Sequence, residues 1–439
     1  MGLVRDAGHE LTANADEADI LVVNTCAFID EAKQESIDAI LEMAQKKEHG
    51  RVKRLVVTGC LGERYRDELK KEIPEIDAVL GTGDVPEIVA AISGAKASGA
   101  APLTFYRPVR SVAEPAERVE PTYLYDASTP RHLATPGHYA YIKIAEGCDY
   151  TCAFCIIPTL RGSYRSRTED SVVQEAEALA ARGVKELLLI SQDTTFYGND
   201  RKERGALGRL LRRLNAIGGL EWIRLLYLYP TTITDETLDA MAACEKVCKY
   251  VDLPLQHASA DVLRRMRRPG NRQAYDKLLA RIRSRVPGVT LRTTFIVGFP
   301  GETDAEFAEL EAFIRETHFD HVGVFTYSHE EGTRAYEMQD DVPAAVKRKR
   351  RDTLMRMQKQ IVAARQKARK GQIVRVMVDG PSAESDLVWH GRLEGQAPDI
   401  DAVVYLDQCD PDMLVPGAVI DARIEGARGY DIIATPATA

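Results

Sequence analysis

Short apolar runs alternate with helical stretches along most of this chain, and that alternation limits the folds open to it. In the first segment "ADILVVNTC" (18–26), "RLVVTGC" (54–60) and "AVLGTGD" (78–84) read as buried strands, with the helical "EAKQESIDAILEMAQKK" between the first two. Strand–helix–strand order implies a parallel sheet. The alternation resumes at "HYAYIKIAEGC" and continues through "ELLLISQD" (186–193), "IRLLYLYP" (223–230), "YVDLPLQH" (250–257), "TLRTTFIVGFPG" (290–301) and "HVGVFTYS" (321–328). Six parallel strands with intervening helices suggest a barrel, open or closed. Residues 96–136 are rich in Pro, Gly, Ala and Ser and read as a linker. A long basic helix, "PAAVKRKRRDTLMRMQKQIVAARQKARKGQ", reads as a solvated face. Beyond it, short alternating strands separated by turn residues suggest a small antiparallel β-barrel. The expected class is multidomain α/β. Its parts are a parallel α/β domain at 1–95, the linker, a (β/α) barrel at 137–368 and the small barrel at 369–439.

Within this frame "GCDYTCAFC" (147–155) carries the chemistry. Cys148, Cys152 and Cys155 form a C-x3-C-x2-C pattern in the loop after the first barrel strand, at the end where barrel active sites form. Three thiolates suit a zinc site or an iron–sulfur cluster. Structural zinc takes four ligands, and the next cysteines, Cys244 and Cys248, are far along the chain. A cubane held by three thiolates keeps one iron open to an external ligand. Cys26 and Cys60 end two successive strands of the N-terminal segment, on the sheet edge where open α/β sheets bind ligands; two buried core cysteines are the alternative.

The chain has eight cysteines, too few and too unevenly spaced for a secreted disulfide framework. "MGLVRDAGHE" places charges where a signal peptide needs an apolar core, and no apolar run approaches the roughly 20 residues of a membrane span. The expectation is a soluble cytoplasmic protein with no membrane association, whose clustered cysteines serve a metal or redox site.

The cysteine spacing, with Phe154 before the third cysteine, resembles the signature of radical S-adenosylmethionine (SAM) enzymes. "VVNTCAFID", "VVTGCLGERY", "GCDYTCAFCIIPTLRG", "LISQDTTFYG", "LPLQHASADVLRRMRRPG", "FIVGFPGET" and "EEGT" together are similar to the methylthiotransferase family. The resemblance spans essentially the whole chain. Within the family, "ISQDTT" and "QHAS...RMRRPG" are most similar to the branch that modifies an aspartate of protein twelve of the small ribosomal subunit; sibling branches modify an adenosine of transfer RNA.

The resemblance implies an N-terminal domain with a second 4Fe-4S cluster, an open radical SAM barrel and a C-terminal TRAM barrel. It implies that Cys148, Cys152 and Cys155 hold the cluster whose electron cleaves SAM. The resulting radical takes a hydrogen from the aspartate β-carbon, an unactivated position that no ordinary base could deprotonate. Cys26 and Cys60 match two ligands of the second cluster, which supplies sulfur. Gly298 matches the glycine that lets the SAM adenine approach the backbone, or makes a plain strand-end turn. Gln192 matches the contact to the SAM amino group. Arg167 meets the SAM carboxylate or is a surface arginine. Implied partners are ribosomal protein twelve or the small subunit, and an electron donor such as flavodoxin or ferredoxin. His257, and the pair Cys244 and Cys248 at helical i, i+4 spacing in "CEKVC", read as structural residues, and Cys409 is assigned no role.

Charge bears on the choice of branch. From Gly371 to Ala439 there are four basic and twelve acidic residues, a net of −8, which equals the net charge of the whole chain. Nucleic-acid binders concentrate the opposite sign, whereas an acidic barrel suits a basic protein. The alternatives are a transfer-RNA adenosine methylthiotransferase and a non-catalytic ribosome- or RNA-binding relative. One departure from the family stands out. The resemblance implies a third cysteine of the N-terminal cluster at the end of a first strand, but "MGLVRDAGHEL" reads as the helix that follows it. The expectation is that Met1 is a late start, and that the second cluster is held poorly or not at all.

Overall fold

The structure is a computed structural model that describes residues 1–94, 121, 123–382, 385–407 and 414–437. Most of the expected linker, together with Cys409, Asp410 and Asp412, lies outside the described residues. The chain divides into two compact bodies. One is built from Met1–His132, Glu146–Arg165 and Ser328–Met338, the other from Leu133–Ala145, Ser166–Tyr327 and Gln339–Ala439.

The first body contains a parallel sheet in the order β1 (Ile20–Thr25), β2 (Arg54–Gly59), β3 (Ala78–Leu80). Helix α1 (Asp30–His49) crosses between β1 and β2. Its first turn carries Asp30 and Glu31 and its last turn Lys46, Lys47 and His49, the polarity that complements the helix dipole. Ser36, Ile40 and Ala44, four residues apart, form its buried stripe. Leu55, Val56 and Val57 of β2 are fully buried. Among the described strands β1 lies at the sheet edge, and its Val22 is 45% exposed.

The second body holds six parallel strands: β4 (Tyr139–Lys143), β5 (Glu186–Ile190), β6 (Trp222–Leu225), β7 (Tyr250–Asp252), β8 (Thr290–Val297) and β9 (His321–Thr326). They pair as β4-β5-β6 and β7-β8-β9, joined by a bridge between Ile223 and Val247. Among the described strands β4 and β9 share no ladder, so the barrel is open. Each expected strand is shorter than its apolar run. The run "IRLLYLYP" leaves the sheet at Leu225, and Tyr227 beyond it takes a left-handed φ of 58°. Burial along β8 alternates, Leu291, Thr293, Phe295 and Val297 facing in. Phe295 then meets Phe313 and Phe319 edge-on at 6.2 and 6.0 Å.

The C-terminal strands β10 (Ile373–Ser382), β11 (Ser385–Arg392), β12 (Val404–Leu406), β13 (Val419–Arg428) and β14 (Asp431–Pro436) close a barrel in the order β10-β11-β12-β14-β13. It is not wholly antiparallel: β12 and β14 run parallel, Val404 opposite Ile432. This barrel covers the amino ends of the (β/α) strands through buried ion pairs. Glu186, fully buried at the start of β5, accepts from Arg224 Nε at 2.8 Å and from Arg392 Nη1 at 2.6 Å. Asp379 accepts from Arg392 Nε at 2.8 Å and faces His138 Nε2 at the same distance. The hydroxyls of Tyr139 and Tyr250 donate to Asp399 and Asp401 at 2.9 and 2.7 Å. Part of the acidic excess therefore faces inward, against the larger barrel, and is spent on attachment.

Candidate functional site

The first body brings Cys26, Cys60 and the three-cysteine loop into one unit. Strand register does this for the pair. Thr25 lies opposite Gly59, so the next residues, Cys26 and Cys60, leave adjacent strands side by side. The approach demands glycine at 59: its φ is +101°, and a Cβ there would sit 2.4 Å from the Thr25 carbonyl oxygen. The buried Ser36 hydroxyl fixes the turn after β1, accepting from Cys26 N at 3.0 Å and donating to Cys26 O at 3.1 Å. Cys26 is exposed and Cys60 is buried. Burial pushes the Cys60 thiol up, an effect that the neighbouring Arg161 guanidinium opposes.

Cys148, Cys152 and Cys155 are all half-buried, and Phe154 among them is half-buried too. The loop is pinched at its base: Cys148 N donates to Gly162 O at 3.1 Å, and a Cβ on Gly147 would lie 2.1 Å from Ser163 O. Cys155 N donates to Cys152 O at 3.2 Å, turning the backbone between the last two cysteines. Helix α2 (Ile157–Arg161) follows, and its Ile156 and Leu160 neighbours join the core of Leu21, Leu55 and Val57. Burying two such side chains contributes about 1.5–3 kcal/mol each. Thr82 Oγ1 also donates to Leu160 O at 2.7 Å. The cysteine loop is thus packed on the N-terminal sheet.

Arg161 joins the two cysteine regions. Its Nη1 donates to Glu146 Oε1 at 3.1 Å and its Nη2 to Cys60 Sγ at 3.5 Å. A second charged knot braces the turn from the other side. Arg64, four residues after Cys60, pairs with the buried Glu330 and donates to Ala27 O at 3.2 Å; Lys33 Nζ reaches Glu330 at 2.9 Å. Sequence reasoning assigned no role to Arg161, Glu146, Arg64 or Glu330. The signal lay in the unassigned ends of two quoted motifs, the arginine of "IPTLRG" and the first glutamate of "EEGT".

The second body presents the remaining predicted residues. Gln192 is half-buried, two positions past β5. The adjacent Asp193 organises its turn, accepting from Thr195 N at 2.9 Å and from Thr232 Oγ1 at 3.0 Å, while Thr194 Oγ1 donates to Leu226 O at 2.6 Å. "ISQDTT" therefore ties the end of β5 to the end of β6. Arg167 is buried, not on the surface. Its guanidinium donates to Glu175 at 2.5 Å, Lys143 O at 3.0 Å and Ser171 Oγ at 2.8 Å, so a second carboxylate would have to compete with Glu175. Gly298 has φ +73° and its N donates to Glu302 Oε2 at 2.5 Å. The group that approaches it is the stem of Lys347, whose Cγ would lie 2.2 Å from a Cβ. His257 is structural: it is fully buried, its Nδ1 accepts from Ser259 N at 3.0 Å, and burial lowers its pKa to about 3. Cys244 and Cys248 are buried packing residues, but not on a helix, which ends at Ala243; burial pushes the Cys248 thiol up to about 12. Tyr227 and Gln256, both non-glycine residues with positive φ, lie just past β6 and β7 and had no sequence signal.

Among the described residues no three His, Cys, Asp or Glu side chains gather closely enough for one metal ion. A mononuclear site needs every sulfur at about 2.3 Å from one atom. In a cubane each thiolate binds a different iron, so the sulfurs stand farther apart. Cys148, Cys152 and Cys155 place three half-buried thiols on one short loop, a donor set of the kind a cubane takes.

Comparison with known proteins bears on all three regions. Residues 142–314 match the radical SAM superfamily, residues 371–436 the TRAM domain, and residues 1–81 an uncharacterised protein family, UPF0004. The chain is 47% identical to the ribosomal protein uS12 methylthiotransferase RimO of Koribacter versatilis, over 99% of this chain and 92% of that protein. It is 48% identical to the RimO of Desulforudis audaxviator, over 98% and 92%. The fold is also shared with TsrM, a radical SAM methyltransferase of Kitasatospora setae. The TsrM structure with cobalamin and a 4Fe-4S cluster aligns with a TM-score of 0.54 at 18% identity, covering 71% of this chain and 62% of that one.

Proposed function

The chain belongs to the ribosomal protein uS12 methylthiotransferase family, and from that membership we propose the roles of its two cysteine regions. The protein is a radical SAM methylthiotransferase acting on uS12. The group transferred goes to the β-carbon of an aspartate, in the cytoplasm, with electrons from a flavodoxin- or ferredoxin-like donor. The observation that carries this reading is the three-thiol loop past β4, in a chain related to that family over nearly its full length.

Cys148, Cys152 and Cys155 would hold a 4Fe-4S cluster through three thiolates. When bound, such a cluster supplies the electron that cleaves SAM to a 5′-deoxyadenosyl radical. The pinch at Gly147 and Gly162 fixes the loop base, and the packing of Ile156 and Leu160 keeps its far end from fraying. Phe154 screens the thiols from water. Gln192, at the carboxyl end of β5, orients SAM, whereas at Gly298 the stem of Lys347 fills the space a side chain would take, so the left-handed turn there serves packing. Arg167 acts on SAM through its buried pair with Glu175, by fixing the backbone after the loop. Cys26 and Cys60 offer two thiolates to a second cluster, the sulfur source.

Mass spectrometry of uS12 and of bulk transfer RNA, from cells with and without the gene, tests the substrate. Loss of a methylthio group from the uS12 aspartate supports this reading. Loss from transfer RNA, or from neither, overturns it. Iron analysis after anaerobic reconstitution tests the second cluster: about four irons per chain leaves the three-thiol site alone, and about eight means Cys26 and Cys60 suffice.

A further inference from the structure

The basic helix is not uniformly solvated, and its division of labour points to a second binding surface. Helix α3 (Ala344–Ala368) buries one side, where Lys347, Arg350, Leu354, Gln358, Val362 and Gln366 recur at spacings of three or four. Cations on and beside that face are spent on attachment. Lys347 pairs with Asp340 at 2.7 Å, Arg350 with Glu302 at 3.0 Å and Asp304 at 2.8 Å, and Arg365 with Asp320.

The outer face is different. Arg348, Lys349, Arg356, Lys359 and Lys367, with Lys370 just beyond the helix, are exposed and have no carboxylate partner among the described residues. At about 100° per residue all six fall in a stripe about 100° wide, and at 1.5 Å per residue the stripe runs for roughly 30 Å. The one acidic residue on the helix, Asp352, is neutralised by Arg351 at 2.9 Å. The cations form three neighbouring pairs, Arg348 with Lys349, Arg356 with Lys359 and Lys367 with Lys370, and within each pair the spacing is shorter than the Debye length of about 8 Å, so the like charges repel. The cost of such a stripe is the mutual repulsion of its neighbouring cations. A ligand bearing regularly spaced negative charge removes that cost.

We propose that this outer face of α3 binds the phosphate backbone of RNA in the small ribosomal subunit, while uS12 is engaged elsewhere on the enzyme. The inference rests on the uS12 reading, because a substrate embedded in a ribonucleoprotein brings RNA with it. An RNA backbone fits better than an acidic peptide: the stripe is long, straight, carries six cations against the single carboxylate of Asp352, and lacks exposed large apolar side chains that would anchor a peptide.

The test uses the full-length holoenzyme with Arg356→Glu, Lys359→Glu and Lys367→Glu combined, and a second variant with glutamine at the same three positions. All three are exposed and outside the cysteine and SAM regions, so folding and substrate-free SAM cleavage should be unchanged. Binding to purified small subunits and to isolated uS12 is measured across a salt series. The expected result is about a tenfold or greater loss of subunit affinity, with the slope of log K against log salt reduced by about two to three, as three lost phosphate contacts require. The glutamine variant should show the same slope change, and affinity for isolated uS12 should hold. Unchanged subunit affinity and slope would overturn the proposal. So would an equal loss on isolated uS12, which would make the stripe a protein contact. Wild-type enzyme that fails to modify uS12 would instead refute the substrate assignment, a separate outcome.

Discussion

Two sets of thiols lie in one compact body, and they are built in opposite ways. Cys148, Cys152 and Cys155 come from eight consecutive positions and share one loop, so their proximity is local and survives small changes in the sheet. Cys26 and Cys60 are 34 positions apart and meet only because Thr25 pairs with Gly59. Their environments differ as well: the three are evenly half-buried, while the pair combines an exposed thiol with a buried one.

The largest expected effect is on the local set. Cys152→Ala should abolish 5′-deoxyadenosine formation after anaerobic reduction while leaving the unfolding midpoint nearly unchanged, since the Cys152 side chain is small and only half-buried. Substantial product from this variant would remove the loop from SAM cleavage. Next is Gly59→Ala, which puts a Cβ 2.4 Å from a backbone carbonyl at a φ of +101°. It should destabilise the N-terminal body by on the order of 3 kcal/mol, read as an earlier urea transition. An unchanged midpoint would break the claim that register builds the pair.

A smaller effect tests the link between the sets. Arg161→Met keeps the aliphatic stem but leaves the buried Glu146 without this partner and Cys60 without its donor. SAM cleavage should stay within severalfold, methylthio transfer should fall further, and Arg161→Lys should recover part of the loss by pairing with Glu146. Equal losses in both activities would make Arg161 a general packing residue. The smallest effect is a rate ranking in the cluster-free protein. Iodoacetamide should label exposed Cys26 fastest and buried Cys60 slowest, with the three loop cysteines between. Burial raises the Cys60 pKa, so its thiolate forms at higher pH and the gap should narrow as pH rises from 7 to 9. Peptide mass spectrometry over time gives the order, and a Cys60 that reacts first would contradict the geometry.

What was legible in the sequence follows the same divide. The C-x3-C-x2-C loop, the strand–helix alternation and the terminal barrel are local patterns, and each appears in the structure. Strand ends were read too long because apolar runs continue into turns, as at Tyr227, where only the backbone angle marks the exit. The contact of Arg161 with Cys60 spans 101 positions, and no spacing rule reaches that far. Charge counting overstated the acidic surface of the terminal barrel, since Asp379, Asp399 and Asp401 are turned inward onto His138, Tyr139 and Tyr250. It also read the basic helix as one solvated face, when Lys347, Arg350 and Arg365 hold it in place. Burial of charge is a tertiary property, and composition does not carry it.

Of the two cysteine sets, only the loop set is proposed to be needed for SAM cleavage. The direct test reconstitutes two variants anaerobically, the double Cys26→Ala with Cys60→Ala and the triple Cys148→Ala, Cys152→Ala and Cys155→Ala. Bound iron and 5′-deoxyadenosine are then measured in both. The double variant should keep about four irons per chain and full SAM cleavage, and the triple variant should form no 5′-deoxyadenosine. Cleavage lost in the double variant, or retained in the triple, would contradict the account.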